Sequence, residues 1–199
     1  NVMNTPAVVK RRLGIITAPG WIDPNLPDLE RVYPGALQMQ QTILPPPGFD
    51  YSFASIAASE PHLVMAATLL AEAGCEFIIQ DGPGFGCLIG GSPEGARAAG
   101  QRIGRACGVP VKLNAVALLD ELGRLAARHY QFTKDEVRTS LRKTRAAAPD
   151  AEALLITGTG IRTLGWLGTL QNELGLPLIA ADDSLRRAVG RRFGLPPAD

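Results

Sequence analysis

Short strand-like segments alternate with helical ones along this chain. The segments "RRLGIIT", "ALQMQQTIL", "EFIIQ" and "VPVKL" are typical of strands, and "LERVY", residues 52–74 and residues 94–107 have helical spacing. Short apolar strands that alternate with helices favour a parallel sheet covered on both faces. The pattern therefore predicts an α/β fold.

The second half of the chain repeats the order of the first. "FIIQDGPGFG", a helix and "CGVPVKLNAVALLDEL" are matched by "LLITGTGIRTLG", a helix and "LGLPLIAADDSLRRAV". This repeat predicts two similar lobes, each a parallel sheet flanked by helices. We place the N-terminal lobe at residues 1–128 and the C-terminal lobe at residues 129–199, with the last helix free to pack back on the first lobe.

Two glycine-rich loops follow predicted strands, "DGPGFG" and "TGTG". Glycine lets a ligand approach the main chain, and the free N–H groups of a following helix favour an anion. Because the carboxyl ends of parallel strands meet at one edge of a sheet, we expect the two loops to face each other across a cleft. The predicted ligand of that cleft is a small carboxylate.

The charge balance disfavours several classes of partner. The 199 residues carry a formal net charge of +1 and are 46% hydrophobic, so no strong field exists to recruit nucleic acid or an anionic membrane. The longest apolar runs are broken well short of a membrane span, and the first residues lack a signal-peptide core. We expect a cytoplasmic protein that binds neither nucleic acid nor membrane.

The cysteine and histidine pattern predicts no metal site. Cys75, Cys87 and Cys107 form no Cys-x-x-Cys pair, and His62 and His129 are isolated. Cys87 follows the first glycine loop at a predicted helix start, where a thiolate is favoured. A structural role is nevertheless our prediction for all three cysteines, and no metal or cofactor is expected.

The first glycine loop also invites comparison with a dinucleotide-binding loop. Strand, "GPGFG" and helix stand in the right order. However, Pro83 removes an N–H from the phosphate cradle, the Gly-x-Gly-x-x-Gly spacing is absent, and no acidic residue follows a second strand at the ribose position. The pattern therefore disfavours a nucleotide cofactor.

Two long stretches carry a family resemblance. "RLGIITAPGWIDPNLPDLERVYPGA" and "AAAPDAEALLITGTGIRTLGWLGTLQNELGLPLIAADDSLRRAV" resemble the aspartate/glutamate racemase superfamily, in its arylmalonate decarboxylase and maleate cis-trans isomerase branch. The resemblance covers most of the chain. It implies an isomerase or carbon-carbon lyase that works without a cofactor at the carbon next to a carboxylate, by racemisation, isomerisation or decarboxylation.

This chain departs from the family at the catalytic positions. Members of the family use one or two cysteines at the strand ends, and here Gly82 and Gly158 stand at those positions. Glycine has no side-chain proton to exchange, so the usual chemistry does not carry over. Two hypotheses remain, an enzyme with altered chemistry and a non-catalytic protein that binds a small carboxylate.

Polar residues at the strand ends supply the candidate site. We take Asp81 and Thr159 as the candidate catalytic residues, with loop and helix capping as the alternative for each. The candidate substrate-binding set consists of Thr17, Pro19, Gly82, Pro83, Gly84, Gly158, Thr159 and Gly160.

Other side chains near these loops have two interpretations each. Arg162 could pair with a carboxylate or remain in solvent. Trp21 and Tyr33 could line an apolar pocket or belong to the core. Asp182 and Asp183 open the last helix, where capping is the leading explanation for at least one of them.

The second lobe is short. Relatives carry a further strand–helix unit and another strand between "VALLDELGRLAARH" and "YQFTKDEVRTSLRKT", and a sheet of two strands is marginal alone. We expect a truncated second lobe, or a sequence that is incomplete near His129. A lobe of this size would have to pack against the first lobe or against another subunit, so a homo-oligomer is one of the two alternatives.

Overall fold

The computed structural model describes residues 10–17, 23–44, 48–49, 53–81, 92–113, 132–147, 149–156 and 161–197. Within these ranges the strands are β1 (Arg11–Thr17), β2 (Leu37–Ile43), β3 (Phe77–Gln80), β4 (Val111–Leu113), β5 (Leu154–Ile156) and β6 (Leu178–Ala180). The helices are α1 (Asn25–Val32), α2 (Phe53–Ala57), α3 (Glu60–Glu72), α4 (Pro93–Cys107), α5 (Lys134–Ala147), α6 (Leu167–Leu174) and α7 (Ala181–Phe193).

Both sheets are parallel, as the strand pattern predicts. The first has the order β2-β1-β3-β4, and the second pairs β5 with β6. In the first sheet β1 pairs on one side with β2, where Leu13 is opposite Met39, and on the other with β3, where Leu13 is opposite Phe77. The α/β class with parallel sheets is therefore confirmed.

The pleat of β1 sends alternate side chains to two separate cores. Leu13 and Ile15 point to one face, where they pack with Leu29 of α1 and with Leu185 and Val189 of α7. Both faces of this strand are covered from Leu13 to Thr17, which explains the apolar run from Leu13 to Ile16.

The opposite face of the first sheet packs on helices α3 and α4. Ile16 of β1 and Ile78 of β3 lie there with Leu63 and Leu70 of α3 and Ile103 of α4, and all five are buried.

The second sheet has one covered face and one face open to solvent among the described residues. Leu154, Ile156 and Leu178 point inward to the helices α5 and α6. The alternate residues Leu155 and Ile179 are 51% and 53% exposed.

The helical stretch predicted over residues 52–74 is two helices rather than one. Helix α2 ends at Ala57 and α3 begins at Glu60. Pro61 supplies the physical reason, because it has no N–H to donate to the carbonyl of Ala57 in a continuous helix. The predicted stop at Gly74 is confirmed by its φ of 84°, which glycine adopts without strain.

Helix α7 lies against the first sheet although it comes from the second half of the chain. The Tyr33 hydroxyl donates to the carbonyl of Arg186 at 3.1 Å. The ring of Phe193 meets that of Phe77 edge-on at a centroid distance of 6.2 Å.

An ion pair also joins the segment after β5 to α1. Arg162 donates from Nε to Oδ2 of Asp28 at 2.8 Å and from Nη2 to Oδ1. The Asp28 side chain is 1% exposed and that of Arg162 is 42% exposed. The hydrogen bonds that Arg162 donates to Asp28 are the main cause of a raised pKa of Arg162. Two parallel N–H···O bonds hold the guanidinium plane in one orientation.

None of the helices within the described ranges combines the length and apolar content that crossing a membrane requires.

The contact between α7 and Tyr33 generates a prediction about Gly190. A Cβ added at Gly190 would overlap the Tyr33 hydroxyl, while a Cβ at Gly168 of α6 would meet nothing within 4 Å. We expect Gly190→Ala to lower the free energy of unfolding by about 1–3 kcal/mol because the buried ring must shift. Gly168→Ala should leave it unchanged or raise it by up to about 1 kcal/mol. Urea denaturation of both variants measures this, and equal midpoints would contradict the packing.

The ion pair of Arg162 and Asp28 generates a second prediction. Arg162→Ala leaves a buried carboxylate without its cation, so the free energy of unfolding should fall by about 1–3 kcal/mol. The control is Arg97→Ala in α4, whose partner Glu94 is 73% exposed. That change should cost less than about 0.5 kcal/mol. If urea denaturation shows the same small decrease in the free energy of unfolding for both variants, the ion pair of Arg162 does not stabilise the position of α1.

Candidate functional site

The strand order of the first sheet defines where a ligand is expected. From β1 the chain goes first to β2 on one side and then to β3 on the other, so the order reverses between β1 and β3. In open parallel sheets, ligands bind at the carboxyl ends of the strands beside such a reversal. Thr17 ends β1, Gln80 ends β3, and Asp81 follows. The three side chains are 0%, 0% and 3% exposed.

A chain of hydrogen bonds leads from Thr17 to the segment before α1. The Gln41 amide of β2 donates to the Thr17 hydroxyl at 2.9 Å. The backbone N–H of Asp23 donates to the Gln41 carbonyl oxygen at 3.3 Å. These bonds fix the start of the Asp23-Pro24-Asn25 turn against the ends of β1 and β2.

Asn25 connects two buried carboxyl groups. Its backbone N–H and its side-chain amide donate to Oδ1 of Asp23 at 2.7 and 2.9 Å. The same amide nitrogen lies 3.5 Å from Oδ2 of Asp81. The backbone bond is that of an Asx-turn, which a short acidic side chain makes with the residue two positions on.

The carboxyl groups of Asp23 and Asp81 both contact the side-chain amide of Asn25, so two buried acids lie on either side of one neutral donor. Oδ2 of Asp23 is buried and has no hydrogen-bond partner among the described residues.

Burial is the main cause of a raised pKa of Asp23. The two hydrogen bonds from Asn25 and the proximity of Asp81 lower this pKa, and the negative charge of Asp28 raises it. Desolvation outweighs the hydrogen bonds, which favours the neutral acid at Asp23.

Thr163 ties the segment after the second glycine loop to α7. Its N–H and hydroxyl donate to the two carboxylate oxygens of Asp182 at 2.6 and 2.8 Å. Arg186 donates to Asp182 at 2.9 Å. Capping was expected of at least one of Asp182 and Asp183, but Asp182 accepts from Thr163 and Arg186 instead. The N-cap residue of α7 is Ala180, and it makes no side-chain cap hydrogen bond.

The first turn of α1 contacts the surroundings of both glycine loops. Asn25 reaches Asp81, which directly precedes the loop "GPGFG". Asp28 holds Arg162, which follows the loop "TGTG" by two residues. One short helix thus joins the residues that flank the two loops.

Two of the predicted site residues lie in this cluster, Thr17 and Asp81. The others lie outside the described residues: Pro19, Gly82, Pro83, Gly84, Gly158, Thr159 and Gly160, together with Cys87 and Trp21. Tyr33 is a core residue, 2% exposed and bonded to α7. Arg162 binds Asp28 rather than remaining in solvent.

Asp23, Asn25 and Gln41 belong to the cluster and were missed by the sequence reasoning. The Asp-Pro-Asn run before α1 could have indicated Asp23 and Asn25, because an aspartate before proline and asparagine is typical of a hydrogen-bonded turn. Gln41 gave no signal, since a glutamine in a strand is usually a surface residue.

No group of three or more histidine, cysteine, aspartate or glutamate side chains is arranged to hold a metal ion in the described part of the chain. The chemistry that the buried carboxyl groups offer is proton transfer.

Comparison with known proteins identifies solved structures that share the fold of this chain. No protein-family model matches the sequence, and no curated protein does. Among solved structures, a liganded arylmalonate decarboxylase with a glycine-to-cysteine and a cysteine-to-serine substitution has a TM-score of 0.73 at 16% identity, over 95% of this chain and 97% of that chain. The maleate isomerase Iso from Pseudomonas putida S16 has a TM-score of 0.68 at 11% identity, over 94% of each chain.

A Nocardia farcinica maleate cis-trans isomerase variant with a covalently bound succinylcysteine intermediate has a TM-score of 0.59 at 16% identity, over 94% of each chain. The expected truncation of the second lobe is not confirmed, because the aligned region takes in 97% of the decarboxylase chain. At these identities the likeness establishes the fold. The chain has the fold of arylmalonate decarboxylase and maleate cis-trans isomerase, as the sequence resemblance predicted.

Proposed function

We propose that the protein is a cofactor-independent enzyme that decarboxylates, isomerises or racemises a small mono- or dicarboxylic acid at the carbon next to a carboxylate. In decarboxylation and racemisation a bond to that carbon breaks and its electron pair moves into the neighbouring carboxylate, whereas cis-trans isomerisation requires temporary loss of a carbon-carbon double bond at that carbon. The enediolate formed in the first two reactions is stabilised by preorganised hydrogen-bond donors.

The observation that carries this proposal is the buried polar cluster at the strand-order reversal of the first sheet. Thr17, Asp23, Asn25 and Asp81 are each at most 3% exposed and are joined by hydrogen bonds. The fold that surrounds them is shared with a decarboxylase and with isomerases of small carboxylic acids. Position and chemistry therefore support the same class of reaction.

In the proposed site, Asp81 and Thr159 are the catalytic residues, and the glycine loops bind the substrate carboxylate through backbone N–H groups. Thr17, Pro19, Gly82, Pro83, Gly84, Gly158 and Gly160 complete the binding set. The contacts of α1 with Asp81 and Arg162 support a common cleft, since each lies beside one of the loops.

The second candidate function is a binding protein for small carboxylates without catalytic activity. Glycine at positions 82 and 158 favours it, because the two positions assigned to cysteine carry no acid or base. This candidate keeps the anion-binding loops and assigns the carboxyl groups a structural role.

One experiment separates the two candidates. The protein is incubated in D₂O with each acid of a panel, once with EDTA and once without it, and products are followed by ¹H NMR. The panel consists of phenylmalonate, methylmalonate, maleate and single enantiomers of 2-phenylpropionate. We expect loss of CO₂, isomerisation or α-deuterium exchange with at least one acid, unaffected by EDTA since no metal takes part. Heat-unfolded protein is the control. Saturable binding without any reaction across the panel would instead establish the binding protein.

A second prediction concerns the two glycines. If Gly82 and Gly158 occupy the cysteine positions, the double variant Gly82→Cys/Gly158→Cys places a thiol on each side of the bound α-carbon. We expect racemase-like activity, seen as deuterium exchange with loss of optical purity, from the double variant and from neither single variant. Thermal melting checks each fold, because a cysteine at a positive φ costs about 1 kcal/mol or more. A double variant that is folded and binds carboxylate but exchanges no deuterium would contradict the assignment of Gly82 and Gly158 to the two cysteine positions.

A further inference from the structure

The second sheet carries two large apolar side chains on its outer face. Leu155 of β5 and Ile179 of β6 lie opposite each other and are 51% and 53% exposed among the described residues. Helices α5 and α6 pack on the other face of this sheet. Leucine and isoleucine at the centre of two parallel strands are typical of a face that another element covers, because parallel sheets are usually covered on both sides.

The strand pair of the second sheet has a structural equivalent in the first sheet. In the first sheet the N–H of Ile78 donates to the carbonyl of Pro110 at 3.0 Å. In the second sheet the N–H of Leu154 donates to the carbonyl of Pro177 at the same distance. The strands β3 and β4 therefore correspond to β5 and β6, with Ile78 at the position of Leu154.

This correspondence identifies the outer face of the second sheet. Ile79 is opposite Lys112 in the register of β3 and β4, as Leu155 is opposite Ile179 in that of β5 and β6. Ile79 thus has the position of Leu155, but it is only 1% exposed. The same face of the sheet is covered in the first half of the chain and exposed in the second.

Helix α7 covers this face in the first sheet. Leu185 and Val189 of α7 lie in one core with Ile79. The helix begins at Ala181, directly after β6 ends at Ala180, so it leaves the second sheet and packs on the first. The element that covers the first sheet is therefore the one that follows the last strand of the second.

The segment that follows β4 has the sequence of an equivalent helix. "VKLNAVALLDELGRLA", which begins with β4, aligns without a gap with "LIAADDSLRRAVGRRF", which begins with β6. Leu118 aligns with Leu185 and Leu122 with Val189, and the Gly-Arg pair that follows is identical. The two residues of α7 that pack on the first sheet are thus matched by two leucines.

The pattern of this segment also favours a helix with one apolar face. Leu118, Leu122 and Leu125 have the i, i+4, i+7 spacing of a single helix face, and the charged residues of the segment lie between them. The segment lies outside the described residues, so its ends in the structure are known from its neighbours. It follows Leu113 of the first sheet, and it precedes Phe132, which packs against the core of the second sheet.

We propose that residues 114–126 form a helix that lies on the outer face of the second sheet, with Leu118 and Leu122 packed on Leu155 and Ile179. A helix of this length spans about 20 Å. Each sheet is then covered by the helix that follows the last strand of the other, and this exchange joins the two halves through apolar surface on both sheets. The inference goes beyond the proposed function and does not depend on it.

The covered face is tested by charge substitution. Leu155→Lys/Ile179→Lys should lower the melting temperature by more than about 5 °C, because two ammonium groups would be placed under a helix. The control is Leu69→Lys on α3, since Leu69 is also 53% exposed. It should change the melting temperature by less than about 2 °C. Equally small changes in both proteins would show an open outer face and overturn the inference.

Hydrogen exchange followed by mass spectrometry identifies the occupant of the face. In the parent protein we expect the amides of residues 114–126 to exchange at least about 100-fold more slowly than in an unstructured chain. In Leu155→Lys/Ile179→Lys this protection should fall by at least roughly tenfold while that of β1 is unchanged. Unprotected amides in the parent, or protection that the lysines leave unchanged, would overturn the inference.

Alanine variants decide the matter if the lysine variant does not fold. Leu118→Ala/Leu122→Ala and Leu155→Ala/Ile179→Ala should each lower the melting temperature. The protein with all four changes should lose less than the sum of the two shifts, because either pair of changes already removes the shared contact. Additive shifts would show that the two pairs do not touch.

A second copy of this chain is the competing occupant. Sedimentation velocity of the parent and of Leu155→Lys/Ile179→Lys separates the two cases. We expect the same sedimentation coefficient for both, since the proposed cover belongs to the same chain. A parent dimer that dissociates in the lysine variant would show that another subunit covers Leu155 and Ile179, and would overturn the inference.

Discussion

The parallel pairing of β1 with β2 on one side and β3 on the other is the constraint on which the described structure depends. All seven residues of β1 have a partner on β2, and four have one on β3. A strand in this position has no solvent-exposed edge, and its two faces must both be covered, by α1 and α7 on one side and by α3 and α4 on the other. The same pairing brings the ends of β1 and β3 together, which places Thr17 next to Asp81.

The second half of the chain is fixed to this centre by two kinds of contact. Leu185 and Val189 of α7 contribute apolar surface to the core of the first sheet. Arg162 and Asp28 add a directional ion pair at the loop edge. Apolar packing is not directional, so the ion pair and the bond from Tyr33 to α7 are the contacts that define the orientation of the segment after β5.

The polar cluster is costly for stability, which is an argument for a function. A buried polar group without a partner costs about 1–3 kcal/mol, and a buried charge costs more. Oδ2 of Asp23 lacks a hydrogen-bond partner among the described residues. Apolar side chains of similar size would fill the same space without this cost. Buried titratable groups that remain at a strand-order reversal are typical of sites where proton transfer is needed.

Local sequence patterns alone determined the α/β class, most strands and helices, and the strand-end positions of Thr17 and Asp81. These features follow from the spacing of apolar residues and from the positions of glycine, which are local signals that extend over only a few residues. Only the tertiary structure decided that Asn25 meets Asp81, 56 residues away, and that Asp28 pairs with Arg162, 134 residues away. Such contacts depend on the strand order and on where α1 and α7 pack. Side chains so far apart in sequence meet only when the apolar faces of the strands and helices are buried together in the folded chain.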